Sequence, residues 1–101
     1  MAGKLKFKVI SSLGKSISTT VDYWQKIINT KHANMAGQEE IVTLTLTTPE
    51  QVRRSRKDDS VHLYYRKHDG HYCCAVVKHL NGDGFLVTAY ITDTMKVGEP
   101  V

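Results

Sequence analysis

Near neutral pH the side chains of this sequence that can move protons or hold an anion are five histidines, a dense basic run and several strand-borne hydroxyls. His32 is the imidazole to single out as an acid or base. A lone histidine is more often structural. Arg53-Arg54-Ser55-Arg56-Lys57 places four cations in five positions, enough to hold a polyanion, and its arginines can grip phosphate through two parallel hydrogen bonds. A solvated loop is the plain alternative. Period-two alternation puts Thr88 and Tyr90 on the face opposite Val87 and Ala89, where their hydroxyls suit a phosphate or a 2'-hydroxyl, although both are also ordinary strand residues. The same alternation sets His62, Tyr64 and Arg66 along one polar face, opposite Val61, Leu63 and Tyr65. Such a face can bind an anion. Lys78 falls on the side of Cys74 and Val76, and His79 points with Cys73, Ala75 and Val77; single basic residues at strand ends are usually just solvated.

Composition sets bounds on that chemistry. Fourteen Lys and Arg against ten Asp and Glu give a formal charge of +4, which suits a phosphate-bearing partner and equally suits a plain basic surface. Adjacent Cys73 and Cys74 in a strand-like run point to opposite faces and cannot easily bond each other. No CxxC spacing or Cys/His cluster is present, so no structural zinc, no other metal and no cofactor is expected. The start of the chain alternates basic and apolar residues without the continuous apolar stretch of a secretory signal, and no run reaches membrane-spanning length. With unpaired thiols, this points to a cytoplasmic protein without a membrane partner.

The elements that must position these residues fit one domain, because 101 residues cannot divide into two adequate cores. Leu5, Phe7 and Val9 alternate with Lys4, Lys6 and Lys8 in a lysine-guarded edge strand. Ser11-Ser12-Leu13-Gly14 turns the chain, and residues 15–21 pair back, making an N-terminal hairpin over 1–21. Thr20 or Asp22 caps a helix over 22–32, in which Trp24, Ile27, Ile28 and Lys31 recur at helical spacing and His32 is terminal. Residues 38–48 are ambiguous, since Glu39 and Glu40 suit a helix start while Ile41 to Thr47 have the content and alternation of a strand. Local propensity favours strand. Pro49 to Val52 reads as a turn leading into the basic run. Strands over 61–67, 72–80 and 85–92, separated by His68-Asp69-Gly70-His71 and Asn81-Gly82-Asp83-Gly84, form an antiparallel meander within 61–92. The last strand's core face is read as Phe85, Val87, Ala89 and Ile91. The tail from Lys96 reads as irregular.

From about Val21 onward the chain resembles a group of small bacterial proteins of cyanobacterial type, which look related to the barnase-EndoU-colicin-RelE (BECR) class of RNases. The residues that carry the likeness are Tyr23-Trp24, Lys31-His32, Glu40 to Pro49, Val52 with Arg54-Ser55, Asp58, Val61 with Leu63-Tyr64-Tyr65-Arg66, Val76-Val77-Lys78, Gly84-Phe85, Thr88-Ala89-Tyr90 and Lys96-Val97-Gly98-Glu99. Ala33 stands where similar proteins often have Pro. The resemblance implies an α+β fold, with the N-terminal strand hairpin and one or two helices packed on a three- to four-stranded antiparallel sheet, and it makes 38–47 a helix within a helical part over 22–48. It also implies a metal-independent endoribonuclease that drives the ribose 2'-hydroxyl onto the neighbouring phosphate, leaving a 2',3'-cyclic phosphate. Carried over by position, His32 is the acid or base, Arg66 with Arg54 steadies the phosphate, and Thr88 with Tyr90 orients it or supplies a proton. Arg53, Ser55, Tyr64 and Lys78 are the further substrate-binding candidates. The expected partners are RNA and, if the protein is the toxin of a toxin-antitoxin pair, an acidic inhibitor; the alternative is a non-catalytic RNA-binding or protein-interaction domain with the same fold.

Overall fold

The computed structural model of the chain describes residues 4–30, 33–95 and 99–100. His32, with Lys31 and the stretch 96–98, lies outside the described residues. Within them the fold is α+β: a mixed sheet of six main strands with two α-helices on one face, and a two-residue strand at one edge.

The lysine-apolar alternation forms β1 (Leu5–Ile10), the Ser-Leu-Gly segment turns it, and β2 (Ser16–Thr20) pairs back antiparallel. Phe7 and Val9 face the core, where Phe7 meets Trp24 edge to face at a ring-centroid distance of 6.2 Å. Helix α1 (Val21–Thr30) begins where the Thr20 side-chain oxygen accepts the Tyr23 backbone N–H at 3.1 Å, so Thr20 is the cap. Trp24 and Ile27, three residues apart on one helical face, are buried by it. A single 3-10 turn, Ala33–Met35, buries Met35 and leads into α2 (Glu39–Thr47).

Helix α2 overrides its own β-propensity. Its threonines bend back onto the helix, Thr43 bonding to the Glu40 carbonyl, Thr45 to Ile41 and Thr47 to Thr43 at 2.7–3.0 Å, and the buried Thr45 hydroxyl also meets the Cys73 thiol of the sheet. Val42, Thr45 and Leu46 are buried on the sheet while Leu44 is left 39% exposed. That pattern belongs to a helix, because a strand would have kept Leu44 on the same face as Val42 and Leu46.

The meander follows as β4 (Val61–His68), β5 (His71–His79) and β6 (Asp83–Thr92). Its first turn is pinned by Asp69 and Gly70 at φ 50° and 79°, the two left-handed positions of a tight hairpin turn. Three corrections apply to the sequence reading. The start of the basic run is not loop: Gln51–Arg54 is strand β3, paired antiparallel with β4. The N-terminal hairpin is not a separate piece beside a three- or four-stranded sheet, because β2 pairs in parallel with β6 and extends the sheet, giving the order β1-β2-β6-β5-β4-β3 with Glu99–Pro100 (β7) beyond β3. A bulge at Val87, where Val76 pairs with Thr88 and Val77 with Leu86, flips the alternation of β6. Leu86 therefore joins Ala89 in the core under the helices, and Phe85 is 40% exposed. The Tyr23 hydroxyl donates to the freed Val87 carbonyl at 3.0 Å, tying α1 to the bulge.

Each face of the sheet has its own core. Under the helices, Ile17, Trp24, Val42, Leu46, Tyr64, Cys73 and Ala89 pack together; on the other face Leu63, Tyr65 and Cys74 form a smaller cluster covered by Tyr72, Val76, Tyr90 and Met95. Cys73 and Cys74 are thus buried on opposite faces, as period two requires. No helix among the described residues is long and apolar enough to cross a membrane.

The junction of hairpin and meander leaves no room for a side chain at Gly84. A Cβ there would sit 2.7 Å from the Ile17 Cδ1 and 2.8 Å from the Lys78 carbonyl oxygen. Gly84→Ala is expected to cost about 1–3 kcal/mol, read as a lower urea midpoint with an unchanged m-value; a variant as stable as the parent would show that the close approach is not tight in solution.

Candidate functional site

Pairing partners in a sheet share a face, so the register of β3, β4 and β5 decides which polar side chains meet. Arg54 lies across from His62, and His62 lies across from Val77, with His79 the next residue of β5 on that face. His79 is anchored beyond the ladder by its own N–H, which donates to the Ser60 carbonyl at 2.6 Å. Diagonal neighbours on twisted strands come within reach of one another. The two imidazoles stack with centroids 3.9 Å apart and planes 15° from parallel.

Below the pair, the Tyr64 Oη lies 2.9 Å from the His79 Nε2 and 2.9 Å from the Ser11 Oγ. Ser11 closes the β1–β2 turn: its N–H donates to the Lys15 carbonyl at 2.7 Å, and its own carbonyl accepts from Gly14 at 2.9 Å. Gly14, at φ 80°, supplies the left-handed step that brings Lys15 back toward the imidazoles. Ser11 and Tyr64 are buried, whereas His62 and His79 are partly exposed. The constellation is Ser11, Lys15, Arg54, His62, Tyr64 and His79, drawn from one turn and three strands.

Its electrostatics favour neutral imidazoles. Burial lowers the His62 pKa, and the Arg54 and Lys15 charges add to that against an opposing pull from the Ser60 backbone. Burial, then the neighbouring His62 and Lys15, hold His79 down to about 4. Burial raises the Tyr64 phenol, so that group stays protonated. At neutral pH the site therefore offers two uncharged rings able to accept a proton beside two fixed cations able to attract an anion. An anion seated between them would offset the repulsion that keeps the rings neutral.

The residues expected from sequence are divided by the fold. Arg66 does not share a face with Thr88 and Tyr90: it lies on the helix side, where its Nη1 donates to the Thr48 carbonyl at 2.6 Å and clamps the end of α2. It also borders a cavity of about 410 Å³ between α2 and the far end of β4, whose lining mixes Glu40 with Lys67 and His68. Thr88 and Tyr90 are on the opposite face. The Thr88 hydroxyl is shielded from solvent there and has no hydrogen-bond partner among the described residues, and the Tyr90 phenol is pushed up by burial and by Cys74. Arg53, opposite Leu63, is also on that face and bonds through its Nε to the Gln51 side chain; Lys78 reaches Asp58 at 3.5 Å. The Ser55 Oγ accepts the Lys57 N–H at 3.2 Å and serves the loop. Tyr64, read as part of an open polar face, is completely buried under the helices with only its hydroxyl in the site. Of the expected residues, the fold brings Arg54 and Tyr64 together.

The His62–His79 pair was the missed feature, and a signal for it existed. Taking Asp69-Gly70 as the pivot of a two-residue turn and counting outward sets His62 across from Val77, with His79 one same-face step beyond. Considered strand by strand, each histidine is unremarkable.

The pair makes stability depend on acidity. The folded chain resists protonating His62 and His79, while the unfolded chain protonates them near the ordinary value of about 6.5. Acidification therefore favours unfolding as the pH falls from about 6.5 toward the His79 value of about 4, and the contribution is fully present above that window. His79→Gln is expected to flatten the fall in thermal midpoint between pH 7 and pH 4.5; an acid slope identical to that of the parent would contradict the burial of that ring. The chain matches no protein-family model, no curated protein and no solved structure at a significant level.

Proposed function

We propose that this protein is a metal-independent endoribonuclease acting at the His62–His79 constellation. The observation that supports this best is the stacked pair of neutral imidazoles, 3.9 Å apart, beside Tyr64 and the Arg54 and Lys15 cations. A neutral imidazole takes the proton of the ribose 2'-hydroxyl. The oxygen attacks the adjacent phosphorus, the bond from phosphorus to the 5'-oxygen breaks, and the imidazolium returns the proton to that leaving oxygen. Arg54 and Lys15 counter the charge that accumulates on the phosphoryl oxygens. The products are a 2',3'-cyclic phosphate and a free 5'-hydroxyl. DNA lacks the attacking hydroxyl and is not cut. The resemblance to BECR-type RNases supports the same reaction, with His32 as its acid or base. The net charge of +4 suits RNA as partner, and an acidic inhibitor would compete for the same cations.

Purified protein incubated with mixed RNA in EDTA is expected to give fragments ending in 2',3'-cyclic phosphate. His62→Ala is expected to slow cleavage about 10²- to 10⁴-fold. RNA left intact at high protein concentration, yet bound with a steep salt dependence, would replace this reading with a non-catalytic RNA-binding domain. Cleavage unchanged in both His62→Ala and His79→Ala, but lost in His32→Ala, would move the chemistry away from the pair.

A further inference from the structure

The buried end of the site contains a chain of hydrogen bonds whose direction can be worked out by counting donors and acceptors. A serine hydroxyl has one proton to give and two lone pairs to fill. The Ser11 Oγ accepts the backbone N–H of Leu13 at 3.2 Å and that of Lys15 at 3.3 Å, which fills both. Its proton is then left for its remaining neighbour, the Tyr64 Oη at 2.9 Å. Heavy-atom positions alone allow either hydroxyl to be the donor, but the two amides fix the order. With Ser11 donating to it, Tyr64 directs its own proton to the His79 Nε2, also at 2.9 Å. A nitrogen that accepts this bond carries no proton.

We infer that Ser11, acting through Tyr64, holds His79 as the neutral ring protonated on Nδ1, so that His79 is a hydrogen-bond donor and His62 is the ring that exchanges a proton with substrate. Ser11 and Tyr64 are then positioning residues. Adding a proton to the His79 Nε2 would set two N–H and O–H hydrogens against each other, and Tyr64 could not turn its own toward Ser11 without meeting the serine's proton. The charged groups around the rings work the same way: Lys15 from the turn and the neighbouring His62 oppose a positive charge on His79, while Lys15 and Arg54 from β3 oppose one on His62. The β1–β2 turn thus reaches into the site through one serine, distant in sequence from both rings.

The division of labour between the rings rests on the ribonuclease reading, but the tautomer does not, and the experiment separates them. Long-range ¹H–¹⁵N spectra of the histidine side chains at pH 7 are expected to show His79 protonated on Nδ1 and bare on Nε2. In Ser11→Ala, Tyr64 loses the proton pointed at it, the ring can donate from Nε2, and the Nε2–H form is expected to become the majority with a raised His79 pKa. Ser11→Thr keeps a hydroxyl and is expected to restore the parent spectrum. A parent spectrum dominated by the Nε2–H form would overturn the proposal, whether or not the protein cuts RNA and even if the alanine variant does not fold. So would Ser11→Ala spectra identical to the parent's. If RNA is cleaved, the acid limb of kcat/KM is expected to follow the NMR titration of His62; a limb that follows His79 would overturn the division of roles while leaving the nuclease reading in place.

Discussion

Everything in this fold turns on how closely β2 can approach β6. The two strands are far apart in sequence and run parallel, so no hairpin turn brings them together; what allows the contact is the missing side chain at Gly84, opposite Ile17. The pairing it permits, Ser16 to Ser18 along Asp83 to Phe85, joins the N-terminal hairpin and the meander into one sheet. It also carries the β1–β2 turn into place over β5, and with it Ser11 and Lys15. A large apolar side chain packed on an empty backbone position is non-directional attraction used to set a very directional result.

Much of the scaffold could be read in advance, and the reasons for the failures are particular. The meander was legible because Asp69-Gly70 and the glycines after Asn81 restrict the backbone so strongly that few other conformations compete. The bulge at Val87 was not, since it inserts no unusual residue; its stabilisation comes from Tyr23, which is distant in sequence. Strand β3 was hidden because charge dominates Gln51–Arg54, although only Arg54 of its two arginines points toward the site. The helical state of α2 came only from resemblance, as its residues taken alone favour a strand. The candidate site was half legible: Arg54, Tyr64 and His62 were each noted, but that Tyr64 is buried and His79 adjacent are facts of register and layering.

The site itself trades stability for reactivity. Two uncharged rings are stacked where they are partly shielded from water and where the nearest fixed charges are positive, an arrangement that gains little for folding and makes the protein sensitive to acid. The larger cores under and over the sheet bear that cost, with Tyr64 belonging to both worlds: its ring is packed among Val42, Leu46 and Cys73, and its hydroxyl is the last polar group before the rings. A side chain so anchored can hold a hydrogen-bond geometry that a loop residue could not.

Helix α2 carries a liability outside the folded state. The stretch Ile41-Val42-Thr43-Leu44-Thr45-Leu46-Thr47 has no charge, no proline and no glycine, and it is helical only while the sheet receives Val42 and Leu46. On a nascent or thermally opened chain the same seven residues alternate as an uncharged β-segment, the kind that finds identical copies of itself and stacks. The chain would be most exposed to self-association after α2 is synthesised and before β4 and β5, which form its docking surface, have followed.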